Sequence, residues 1–177
     1  MKAQFEFTKI LQTELLGDSA KHVRLEANSD ERAALADRFE LRAVESLVGN
    51  LIIERIKGSE LIRVRGRMSA EISQACVVSG KIVVSPIEER VNERFGQSNK
   101  TGFEVELSVE EDPPEQIENG EIDLGETIVQ YLGVAIDPYP RAPGAEIPQQ
   151  YQLEMETDVE IRKNPFEVLT YVRYEDD

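Results

Sequence analysis

Residues 41–95 read LRAVESLVGNLIIERI (41–56), KGSE (57–60), LIRVRGRMSAEISQA (61–75), CVVSG (76–80) and KIVVSPIEERVNERF (81–95). The pattern of these runs is predominantly that of strands. Gly58-Ser59 and Ser79-Gly80 fall between them as turn signals at hairpin spacing. No helical period fits between the runs, so the stretch predicts an antiparallel meander rather than parallel strand–helix–strand units.

Upstream, FEFTKIL (5–11) alternates and predicts a further strand, and HVRLEA (22–27) another. Between HVRLEA and the meander, Asn28 stands in N-cap position with Glu31 three residues on, and Leu35 and Phe39 follow at helical spacing. These predict a helix over about residues 29–39. Downstream, FEVELSV (103–109) has strand alternation, and EEDPPEQIENG (110–120) is an acidic loop interrupted by Pro113-Pro114 and Asn119-Gly120. Asp123 then caps a second helix, near 124–136, with Leu124, Ile128, Tyr131, Leu132 and Ala135 on its apolar side. Asp137, held out of helical geometry by Pro138, ends it, and residues 138–150 read as an extended Pro-rich arm. Residues 174–177 form a polar end expected to fray. The expected architecture is a single α+β domain over residues 1–177: an antiparallel sheet or partial β-barrel with about two helices.

Composition bounds the function. The chain has 177 residues and a net charge of −15, unevenly placed. Residues 1–90 hold 14 Lys+Arg against 14 Asp+Glu, whereas residues 91–177 hold 6 against 21. The second half therefore carries all of the excess and suits a basic partner better than nucleic acid. There is no run of about 18 apolar residues to span a membrane. The opening alternates and carries acids, unlike a secretory signal. One cysteine, Cys76, excludes an internal disulfide. Together these predict a cytoplasmic protein with no membrane partner.

Catalytic sets are missing. His22 is the sole histidine, with no serine or cysteine motif beside it, and neither phosphate-binding Gly-rich loop motif occurs. One Cys and one His do not make a zinc site, and no lysine or arginine adjoins Cys76 in sequence to activate it. The expectation is a protein that is not an enzyme, with no cofactor, no metal and no small-molecule substrate. The positive candidate is Arg63, Arg65 and Arg67, which alternation puts on one face of a strand, with Ile62, Val64 and Met68 on the other. Arg55 and Lys57, just upstream, extend the basic area. Such a row suits RNA phosphates, and pairing with the chain's own acids across neighbouring strands is the plainer alternative.

Three segments resemble the YceD family, the large ribosomal RNA subunit accumulation proteins. They are the strand leading into Cys76 with GKIVVSPIEERVNERF after it, the segment ENGEIDLGETIVQYLGVAIDPYP (118–140), and the closing Asn164-Pro165-Phe166-Glu167-Val168-Leu169. Together they cover roughly residues 70–170. The middle segment is the most specific, with Ile122, Asp123, Leu124 and Glu126 opening a helix that leads to a proline-rich exit. Many members carry Cys-x-x-Cys in the central region. Here Cys76 matches the first position and Ser79 stands at the second, so no metal role is carried over.

The resemblance implies an assembly or accessory factor supporting accumulation of large-subunit ribosomal RNA by binding, not by catalysis. Two partners are then open. Large-subunit rRNA would be met by Arg63, Arg65 and Arg67. A basic ribosomal protein would be met by Glu110, Glu111, Asp112, Glu115 and Glu118. The alternative is an acidic adaptor or chaperone-like protein-binding module unrelated to ribosomes. Oligomeric state is not legible.

Overall fold

The structure is a computed structural model, and residues 6–17, 19–96 and 113–146 are described. The expected strand at 103–109, the Asn164–Leu169 segment, the distal arm (147–150) and the end (174–177) lie outside these residues. All elements lie within Met1–Ala145, one of the two units into which the chain divides.

The meander forms as its turn signals predict. Strands β3 (Ala43–Arg55), β4 (Ile62–Ala75) and β5 (Ile82–Gly96) run antiparallel in sequence order. Gly58 and Gly80 sit at positive φ in the two connections. Strand β2 (Lys21–Glu26) adds antiparallel to β3, and β6 (Glu115–Gln116) adds parallel to the end of β5, giving the order β2-β3-β4-β5-β6. The architecture is the expected α+β one, a mostly antiparallel sheet with two helices, and the sheet does not close into a barrel. Residues 113–120 are also less loop-like than their prolines suggest, because Glu115 and Gln116 pair with Phe95 and Gly96.

Helix α1 (Ser29–Arg38) starts on the predicted capping box. Asn28 Oδ1 accepts from the Asp30 and Glu31 amides at 2.9 and 3.0 Å, and Glu31 Oε2 accepts from the Asn28 amide at 2.8 Å. Helix α2 (Leu124–Ala135) starts on Asp123 and gives way at Ile136, whose backbone is already extended ahead of Asp137-Pro138. Both helices cover one face of the sheet. Leu35 from α1 and Ile128 and Leu132 from α2 are fully buried there with Leu47, Leu51 and Ile53 of β3, Val64, Met68 and Ile72 of β4, and Val91 of β5. Burial of each such side chain stabilises by about 1.5–3 kcal/mol relative to exposure. The opposite face meets solvent.

The N-terminal segment departs from expectation. Strand β1 is only Ile10–Gln12, paired antiparallel with β7 (Glu121–Asp123) in a separate two-stranded sheet. Residues 6–9 are not strand. Phe7 is buried in the core instead, and the chain crosses the first turn of α2 so closely that a Cβ at Gly125 would strike the Phe7 carbonyl. A strand forms only where β7 arrives to pair with it.

Candidate functional site

The solvent face of the sheet gathers the predicted arginine row. Even-numbered positions of β4 face the core, so Arg63, Arg65 and Arg67 all project outward, their side chains 41%, 51% and 66% exposed. The register then does what the sequence of β4 alone does not show. Directly opposite on β5 stand Arg94, Asn92 and Arg90, so Arg63 faces Arg94 and Arg67 faces Arg90. Like charges directly opposed across an antiparallel pair are destabilising, and this face opposes them twice in a chain of net charge −15.

Acids answer part of that charge. Glu54 of β3 reaches Arg65 Nε at 3.2 Å and Arg63 Nη1 at 4.0 Å, and Glu88 stands 3.9 Å from Arg67 Nη1 with both side chains well exposed. Exposed pairs of this kind contribute about 0–1 kcal/mol. The row thus forms one outward basic face, and some of its guanidiniums stand beside the protein's own carboxylates. Arg55 does not extend it. Its register partner is core-facing Ile62, and its guanidinium is spent on the carbonyls of Thr13 (2.8 Å) and Leu16 (3.2 Å). Arg90 and Arg94 went unread because only β4–β5 register, not the spacing within β5, brings them to the row.

A second feature lies at the same end of β5, on its other face. A cleft of about 720 Å³ opens between the start of α2, β7, β6 and the end of β5, and six carboxylates line it: Glu93, Glu115, Glu118, Glu121, Asp123 and Glu126. Glu115 and Glu118, singled out from sequence, are exposed at its edge. Glu110, Glu111 and Asp112 lie outside the described residues. Glu93, Glu121 and Glu126 join through folding.

Four of the six have partners within the protein: Glu93 accepts from the Tyr131 hydroxyl at 2.9 Å and Glu121 from Gln12 Nε2 at 2.7 Å, and Asp123 and Glu126 are committed to structure. Asp123 Oδ1 accepts from the amides of Gly125 (2.9 Å), Glu126 (3.2 Å) and Lys9 (2.9 Å), while Oδ2 is buried without a hydrogen-bond partner. Glu126 takes Arg38 of α1 in a two-bond fork at 2.8 and 2.9 Å. Ile122 and Leu124 are buried in the core. The residues that make segment 118–140 recognisable in the sequence are therefore those that seat α2.

Cys76 sits at the end of β4, 3% exposed. The Ala142 amide and the Ser79 hydroxyl, with further help from the Ser79 and Val78 amides, outweigh burial and pull its thiol down to about 6. The Ser79 amide lies 3.4 Å from its sulfur. The proximal arm crosses here, with the Val77 amide donating to the Pro140 carbonyl at 2.9 Å and Gln74 Nε2 to the Asp137 carbonyl at 2.9 Å. Among the described residues no group of three His, Cys, Asp or Glu side chains converges to hold a metal ion, and no helix is long and apolar enough to cross a membrane.

The family model described as "Large ribosomal RNA subunit accumulation protein YceD" matches residues 64–171, more than half of the chain. No curated protein and no solved structure matches the chain.

Proposed function

From the premise that the chain belongs to the YceD family of large ribosomal RNA subunit accumulation proteins, we propose that it supports this accumulation in the cytoplasm by contacting RNA, without catalysis, through the outer face of its sheet. One observation carries the reading. Arg63, Arg65 and Arg67 share a solvent face with Arg90 and Arg94 directly across from them, so an acidic chain concentrates guanidiniums where phosphates can reach them. The test is rescue in cells depleted of the protein. The wild-type chain should restore the ratio of large- to small-subunit rRNA, and Arg63→Ala/Arg65→Ala/Arg67→Ala should not. Full rescue by the triple variant, at equal protein level, removes RNA contact through this face.

A second reading is favoured by the acidic cleft. A basic ribosomal protein would meet Glu115 and Glu118 at its edge, with Glu121 beside them. Under this reading Glu115→Gln/Glu118→Gln abolishes rescue and the arginine variants are silent. Failure of both sets of variants to alter the ratio leaves neither surface with a part in it.

A further inference from the structure

We infer that the arginine face takes double-stranded RNA by its phosphate backbone, without reading base sequence. The inference rests on the RNA-contact reading above and narrows it to one form of RNA.

The first ground is what the face lacks. Register and alternation put His22 and Arg24 of β2, Asn50, Ile52 and Glu54 of β3, and the β4 and β5 arginines outward, and no Phe, Tyr or Trp stands among them. Proteins that hold single-stranded RNA stack its bases on aromatic side chains, whereas duplex RNA is recognised by shape and by phosphate and 2′-hydroxyl contacts. Among the described residues this face offers guanidiniums and a single imidazole at its β2 edge, which matches the second mode.

The second ground is spacing. Arg67 and Arg90 face each other on strands about 4.8 Å apart, and Arg63 and Arg94 do so about 13 Å further along β4, with Arg65 between. The Arg67–Arg90 pair can close on one anion from two sides, relieving the repulsion between the two guanidiniums. A rigid duplex presents its phosphates at fixed positions, so guanidiniums fixed along a stiff sheet meet them without ordering a flexible strand. Arg90 makes no ion pair among the described residues, and Arg67 has only the exposed Glu88 at 3.9 Å. This clamp is the more available.

The test titrates the full chain against fluorescent duplex RNA of about 20 bp, its component single strand, and a shuffled duplex. At about 100 mM salt the duplex should bind at least about tenfold more tightly than the single strand, and the shuffled duplex equally well. Arg67→Ala/Arg90→Ala should weaken duplex binding about tenfold or more and flatten the salt slope by about two contacts. Arg67→Lys/Arg90→Lys, which keeps charge but loses the fork, should fall between, and it decides the matter if the alanine pair melts early. Glu88→Gln should tighten binding about two- to threefold by freeing Arg67. Equal binding of single strand and duplex, or strong discrimination between shuffled duplexes, overturns this inference while leaving RNA contact in place. Binding of neither RNA, even at low salt, overturns both.

Discussion

Arg38 at the end of α1 grips Glu126 in the first turn of α2 with two parallel bonds, Nη2 to Oε1 at 2.8 Å and Nη1 to Oε2 at 2.9 Å, and its Nη1 also reaches Glu6 at 3.1 Å. The hydrogen bond to Glu126 is the main cause that raises the guanidinium's pKa beyond its already high range. Glu126 is the less exposed partner, at 12% against 30% for Arg38.

Removing Arg38 strands a largely buried carboxylate. Arg38→Ala should cost about 1–2 kcal/mol, after discounting for solvent screening at the guanidinium. Glu126→Gln, which leaves no stranded charge, should cost less. Urea midpoints of the two single variants and the double variant measure the coupling. A coupling energy indistinguishable from zero would mean that the fork does not hold the helices.

Gly125 lies under the crossing N-terminal segment, where an added Cβ would meet the Phe7 carbonyl and the Lys9 amide. Both are backbone atoms and cannot swing aside as a side chain would. Gly125→Ala should therefore destabilise by about 1–3 kcal/mol despite alanine's better helix propensity. A higher melting temperature for this variant would contradict the close crossing.

Asp123 should be more sensitive than an ordinary N-cap, for which substitution by alanine costs about 0.5–2 kcal/mol. Its Oδ1 also holds the Lys9 amide, 114 residues away in sequence. Asp123→Ala should loosen both α2 and residues 6–12, seen as faster amide exchange at Lys9 as well as at Gly125 and Glu126. Exchange that quickens only in the helix would show that Lys9 is held by something else.

Cys76 gives a pH prediction. Its thiol, near 8.5 in an unfolded chain, is lowered to about 6 in the folded protein. A lowered pKa means that the folded state favours the thiolate. Its contribution is therefore complete above the unfolded value and is lost as pH falls through about 6. The stability difference between the wild type and Cys76→Ser should grow from pH 6 to pH 9. A difference that stays flat over this window would deny the thiolate its amide partners. Alkylation should still be slow, because the sulfur is buried.

Much of this fold was legible because local chemistry and tertiary structure agree. The turn glycines, the Asn28–Glu31 box and the Asp123 cap each name a boundary, and the structure puts boundaries there. FEFTKIL misled because alternation reports a preference for extended backbone but not whether a partner strand is present; Phe7 found the core and Lys9 found Asp123 instead. Arg55 misled because one register position separates it from the outward set. Arg90 and Arg94 were hidden because cross-strand register arises from pairing, and no single strand carries it. The acidic cleft was half visible, since Glu115 and Glu118 are neighbours in sequence while Glu93 and Glu126 reach the cleft only through packing.

The family match begins at residue 64, inside β4. That strand has β5 on one side, within the matched region, and β3 on the other, outside it. The matched helix is likewise seated by Lys9, and Ile122 pairs with Leu11. What is recognisable in the sequence is thus not what folds by itself. A fragment of residues 64–171 would leave Val64, Met68 and Ile72 beside an unpaired strand edge. In choosing where to cut this protein, the boundary of likeness is the wrong guide, and residues 6–63 belong with every piece that is meant to stand alone.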